Sequence, residues 1–143
     1  MTKNIDDITS DVIGVAMSIH RELGPGLLES VYETILAAKL AGMGYKVDRQ
    51  KPIDIKYEDL RFEAAFRIDI LVDDRLIVEI KSVEQINKAH AKQLLTYLRL
   101  AQQPVGLLLN FNHETMKEGV RRLVNNHRDS ASFAPLREQL SDI

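Results

Sequence analysis

The stretch from Arg67 to Lys81, RIDILVDDRLIVEIK, constrains this chain more than any other. Phe66, Ile68, Ile70 and Val72 alternate with Arg67, Asp69 and Leu71, and then Leu76, Val78 and Ile80 alternate with Ile77, Glu79 and Lys81. A period of two predicts strands. Asp73-Asp74-Arg75 between them predicts the turn of a hairpin, and a three-residue loop there sets Asp69 opposite Glu79. Side chains opposite one another share a face, so with the apolar rows on one side, Asp69, Glu79 and Lys81 come together on the other. Two carboxylates at that separation repel unless a proton or cation joins them, and Lys81 supplies only one positive charge. The arrangement asks for a divalent metal.

Carboxylate oxygens suit Mg²⁺, with Mn²⁺ as a substitute; the ion keeps several waters and takes phosphate oxygens as further ligands. The backbone carbonyl of Ile80 is a candidate additional ligand. Water on such a metal is acidified, and Lys81 is placed to orient or deprotonate it for in-line attack on a phosphodiester. The competing reading is an ordinary solvent-facing strand, which also alternates charged and apolar residues; Glu-x-Lys triplets are common.

With 143 residues the chain is long enough for one domain with a substantial core. At 45% hydrophobic and 28% charged it has neither a disordered nor a membrane composition. It contains no cysteine, which excludes disulfides and thiolate metal sites and fits a reducing compartment. MTKNIDDITSD lacks the order of a signal peptide, and no apolar run approaches bilayer length, so a cytoplasmic protein without a membrane partner is expected. A formal charge of -2 argues against a nucleic-acid coat protein but not against a nuclease. Arg61, Arg67, Lys88, Lys92, Arg121 and Arg122 are candidates for a local positive track, or simply solvated surface.

In chain order, Ile8, Val12, Val15, Ala16, Ile19 and Leu23 predict a first helix, with Asp6 or Asp7 as N-cap and Gly24-Pro25-Gly26 as its end. Leu28, Tyr32, Ile35, Leu36 and Leu40 form the stripe of a second, closed at Gly42-Met43-Gly44. Tyr45, Val47, Ile53, Ile55 and Tyr57 read as a strand, with Pro52 at an edge or bulge. Leu60 to Val72 and Leu76 to Ser82 complete three antiparallel strands. A helix follows from Lys88 to Gln102, and His90, Gln93 and Tyr97 stack along one line of it. Val105-Gly-Leu-Leu-Leu-Asn-Phe111 reads as a continuous run of strand length, apolar but for Asn110, as expected of an interior strand reached by a right-handed crossover. Met116 to Val124 is open between helix and strand, and Ser130 to Ile143 reads as a short amphipathic or loose tail. The expected fold is a mixed α/β sheet (α+β), in one domain over 1–143, with a core over about 8–124 and a tail over 125–143.

In this order the chain resembles the GxxExxY family of the PD-(D/E)xK nuclease superfamily. The motif stands as Gly26-Leu27-Leu28-Glu29-Ser30-Val31-Tyr32. His20-Arg21-Glu22-Leu23-Gly24-Pro25, Arg67-Ile68-Asp69, Glu79-Ile80-Lys81, Gln93-Leu94-Leu95-Thr96-Tyr97 and Leu108-Leu109-Asn110-Phe111 match the pattern in sequence. A proline often precedes the metal-binding Asp in this superfamily; here Ile68 does. The resemblance implies a restriction-endonuclease-like αβββαβ core with an extra N-terminal helix. It also implies a metal held by Asp69 and Glu79, Lys81 as catalytic lysine, and Glu29 as a helix-borne acid on the same metal or its water. Gln93 and Tyr97 match residues that steady the site or a phosphate, and Arg67 lies in the matching strand. His20 is a candidate partner for a carboxylate or phosphate, or a helix cap, and Tyr32 is assigned to packing. The expected activity is metal-dependent hydrolysis of phosphodiester bonds, in DNA. The alternative is an inactive module of the same fold that binds nucleic acid or a protein. Without a dedicated clamp, such a chain would draw on a second subunit or a protein partner to hold nucleic acid.

Overall fold

The computed structural model describes residues 3–125, and the tail expected over 130–143 lies outside them. Helix α1 runs Ile5–Leu23 and α2 Glu29–Gly42. Strands β1 (Val47–Tyr57), β2 (Leu60–Val72) and β3 (Leu76–Lys81) follow, then α3 (Lys88–Ala101), β4 (Val105–Asn110), a single 3-10 turn (Lys117–Gly119) and β5 (Val120–Val124). The expected αβββαβ order with an added first helix is present, and the segment from Met116 resolves into that turn and a strand. Asn4 caps α1, its Oδ1 accepting the Asp7 N–H at 2.8 Å. Asp6 and Asp7, expected to cap, lie in the first turn, where their charge meets the positive end of the helix.

The five described strands form one sheet in the order β1-β2-β3-β4-β5, with β3 and β4 parallel and every other pair antiparallel. Helices α1 and α2 cover one face, burying Ile8, Val12, Ile19, Tyr32 and Leu36 against Ile70, Val72, Val78 and Ile80. On the other face α3 packs Ala91, Leu94, Leu95 and Leu98 against Leu71, Ile77 and Leu108. This explains the apolar run from Val105 to Leu109 in β4: both faces are covered, and all six residues of the strand are buried. Among the described residues, no helix is long and apolar enough to cross a membrane.

The expected single apolar row from Phe66 to Val72 is broken. Ile70 and Val72 pack under α1 and α2, but Phe66 and Ile68 belong to the cluster under α3. β1 does the same: Val47 packs on the first cluster, Ile53 and Ile55 on the second. Both strands exchange faces at one rung, between Arg49↔Ile70 and Lys51↔Ile68, where Gln50 lies across from Asp69 and has a left-handed φ of 50°. Beyond that rung the ribbon swings toward α3, and Phe66 stacks on Tyr97 at 4.2 Å.

The β5 edge depends on a close backbone approach at Gly119, where an added Cβ would stand 2.0 Å from the carbonyl oxygen of Asn110. Gly119→Ala is therefore expected to destabilise the protein by about 2–3 kcal/mol, because backbone rather than a flexible side chain must move. Thermal unfolding checks it; an unchanged melting temperature would show that the approach is not required.

Candidate active site at the fork between two strands

β2 and β3 pair over three rungs only, from Val72↔Leu76 to Ile70↔Val78, whereas β3 stays paired with β4 as far as Lys81↔Asn110. The two strands part immediately beyond Ile70. Asp69 bridges the opening with its side chain: Oδ2 accepts the Ile80 N–H at 2.9 Å, replacing a backbone carbonyl. Within a strand the N–H and C=O of one residue point the same way, so the Ile80 carbonyl also faces this gap. The Lys81 carbonyl points to β4, where it accepts from the Phe111 N–H at 2.9 Å.

Glu79 follows Ile77 on the α3 side of β3 and is only 6% exposed. Its Oε1 is buried without a hydrogen-bond partner among the described residues. Burial, and then the hydrogen bond and charge of Asp69, push its carboxyl up to about 9; Lys81 opposes the shift. The reading of Glu79 as a residue on a solvent-facing strand therefore fails. In the absence of a cation, Glu79 beside Asp69 favours its protonated form. A lone buried carboxylate oxygen, a second carboxylate, a carbonyl facing the gap and a nearby lysine are suited to a hard divalent ion, which takes one or two carboxylates and completes its shell with water and phosphate. Asp69, Glu79 and the Ile80 carbonyl are the groups that would hold it.

Glu29 does not join that pair. Among the described residues no three His, Cys, Asp or Glu side chains converge on one point. The Glu29 Oε2 accepts the Ser82 N–H at 2.9 Å, and Ser82 Oγ donates to the Leu27 carbonyl at 2.9 Å. Glu29 thus clamps the chain one residue beyond Lys81. Tyr32 does more than pack: its hydroxyl donates to the Gly24 carbonyl at 2.6 Å and accepts the Leu27 N–H at 3.1 Å, with its ring stacked on Phe111 at 4.3 Å. It fixes the loop from which Glu29 emerges.

From α3, Tyr97 feels the fork directly: its phenol is pushed up by burial and then by the charges of Glu79 and Asp69. Gln93, one turn earlier, is exposed, and His90 forms a capping box with Asn87. Arg67 donates from Nη1 to the Gln50 carbonyl at 3.3 Å. His20 is buried, and its Nε2 donates to the His113 carbonyl at 2.8 Å, tying α1 to the segment after β4. The candidate positive track is divided: Arg61 pairs with Asp54 and Arg122 with Asp6, while Arg121 donates to the Glu118 and Val120 carbonyls.

Sequence reasoning gave no role to Glu33 or Gln50, and quoted Asn110 only within a matching string. Glu33 is buried on α2 and accepts from Arg49 and Gln50; Gln50 also donates to Asp69. Asn110, fully buried, bonds both the N–H and the C=O of Val83, holding the chain that leaves β3. The Gln50 pairing was hidden by register. Counted back from the Tyr57↔Leu60 turn, Gln50 would face Arg67. An irregularity between Ile53 and Ile55 shifts the register by two, with the Ala64 N–H held by Asp54 Oδ1 at 2.8 Å, and brings Gln50 to Asp69. A polar amide inside an alternating strand was the available signal.

In comparisons with known proteins, the family model of the PD-(D/E)XK nuclease superfamily matches residues 6–123. No curated protein and no solved structure matches.

The state of Glu79 gives a pH-dependent expectation. Its carboxyl titrates at 4.5 when unperturbed and at about 9 in the folded chain. Between these values the unfolded state binds fewer protons than the folded one, so the stability of the metal-free protein falls as pH rises. Glu79→Gln keeps the shape and removes the ionisation. It is expected to stabilise the metal-free protein at about pH 8 by roughly 1–3 kcal/mol and to have little effect near the unperturbed carboxyl value. Thermal melts in chelator across this range decide it; equal stability of the two proteins at all pH values would refute it.

Proposed function

The chain belongs to the PD-(D/E)XK nuclease superfamily, and on that premise we propose that it is a Mg²⁺-dependent nuclease hydrolysing phosphodiester bonds in DNA, of the GxxExxY branch. The observation that carries this reading is the half-buried Asp69 beside the buried Glu79 at the β2/β3 fork, with one Glu79 oxygen unpartnered among the described residues and Lys81 two residues along. A divalent ion bound there would neutralise the two carboxylates, acidify a water and offset charge on the phosphate. Asp69, Glu79 and the Ile80 carbonyl are the proposed ligands. Asp69 is oriented for that role by the Ile80 N–H.

Lys81 is the residue proposed to orient the attacking water or to take up its proton. Glu29 is proposed to act on the same water or metal by exchanging its bond to Ser82 for it. Gln93 and Tyr97 are proposed to steady a phosphate from α3, and Arg67 to contact the backbone of the substrate. His20 is proposed to support the site indirectly, through the segment it ties to α1. The absence of cysteine accords with a cytoplasmic setting.

One observation favours a second reading. Glu29 is committed to Ser82, which suits an inactive module of the same fold that binds nucleic acid without cutting it. Incubation with DNA and Mg²⁺ or Mn²⁺ separates the two. Cleavage is expected, falling by about 100-fold or more in Lys81→Ala and Glu79→Gln. No cut on single-stranded, duplex, nicked or branched DNA, or on RNA, overturns the nuclease reading; binding without cleavage then favours the module.

A further inference from the structure

We propose that Gln50 is a positioning residue for Asp69, suspended from the buried carboxylate of Glu33, and that this relay sets how tightly the fork binds a divalent cation. The inference rests on the metal-centre reading above and adds residues which that reading does not use.

The Gln50 side-chain nitrogen donates to Glu33 Oε1 at 2.8 Å and to Asp69 Oδ1 at 3.2 Å. An amide NH₂ has two hydrogens, and here each has a carboxylate acceptor. The orientation of the amide is forced, since the flipped form would aim its carbonyl oxygen at two anions. Glu33 is a fixed anchor: it is 6% exposed and accepts from Arg49 Nε at 3.2 Å and Nη2 at 3.0 Å. The backbone of Gln50 is equally specified. It occupies the left-handed region at φ 50°, at the rung where β1 and β2 exchange faces, and its carbonyl accepts from Arg67. A non-glycine residue held in that region is uncommon, and the register shift between Ile53 and Ile55 is what carries it to Asp69.

The result is that each oxygen of Asp69 receives one N–H, Oδ2 from Ile80 and Oδ1 from Gln50. The carboxylate cannot turn without breaking one of them. The choice of an amide matters for the chemistry. Lysine or arginine in this place would hold Asp69 by cancelling its charge and would compete with a metal, whereas a neutral donor fixes direction and leaves the negative charge available. Glu33 fixes the amide in place by accepting its other hydrogen, and Arg49 balances the charge of Glu33.

Isothermal titration of the full chain with Mn²⁺ tests this without relying on turnover. Wild type should bind, and Asp69→Asn should abolish the heat. Gln50→Met, which keeps the length and bulk but removes the donor, should weaken Mn²⁺ binding by about 10- to 100-fold. Gln50→Lys should do at least as much, although it can still donate to both carboxylates. Melts of the metal-free variants confirm folding, and a merely structural role predicts altered melting with unchanged Mn²⁺ affinity. If wild type binds and folded Gln50→Met and Gln50→Lys bind within about twofold of it, the relay is refuted while the metal centre stands. If wild type itself binds no Mn²⁺, the metal-centre reading fails and takes this one with it.

Discussion

A side-chain carboxylate does the work of a missing strand rung: Asp69 Oδ2 takes the Ile80 N–H that β2 would otherwise have satisfied with its backbone. Without that bond, a buried amide at the parting of β2 and β3 would be left unpaired, at a cost of about 1–3 kcal/mol. The substitution lets two strands separate inside a covered sheet. It also leaves the Ile80 carbonyl facing the gap that Asp69 bridges, with Glu79 next along β3. The fold needs the bond to close its hydrogen bonding, and the proposed chemistry needs it to aim Asp69.

The acid opposite is tolerated for a different reason. Glu79 stands at the end of a strand whose preceding residues, Leu76 to Val78, are fully buried between two apolar clusters. Packing on both faces fixes the backbone, so Glu79 cannot swing out to water without moving the core. It responds by holding a proton, and Asp69 beside it strengthens that response. A group kept neutral by its surroundings and able to ionise when a cation arrives couples metal binding to proton release.

The loops that frame the fork are held as firmly as the strands. Ser82 is gripped by Glu29 and Leu27, and Val83 by both ends of the Asn110 amide. Behind them Tyr32 closes the Gly24 to Leu27 loop and stacks on Phe111, which directly follows β4. The chain on the far side of Lys81 is therefore tied to α2 and β4 together. Elements distant in sequence contribute rigidity at the point where the proposed reaction demands it.

Much of this was legible beforehand. The Asp73 to Arg75 turn and two alternating runs were enough to predict the β2–β3 hairpin and its register from Val72↔Leu76 to Ile70↔Val78, because strand period and turn length are local properties. Helix limits followed from apolar spacing and from Gly24, and the buried character of β4 from its composition. What depends on distant contacts was not legible. The exchange of faces at Gln50 and Asp69, the attachment of Glu29 to Ser82 and the burial of Glu33 each require residues brought together from separate elements. The amino-acid sequence by itself determined which residues carry charge into this sheet, since a hairpin is specified by its own neighbours. Only the tertiary structure decided where those charges point, because a bulge, a fork and a neighbouring helix set the direction of a side chain and none of them is written in the stretch that bears it.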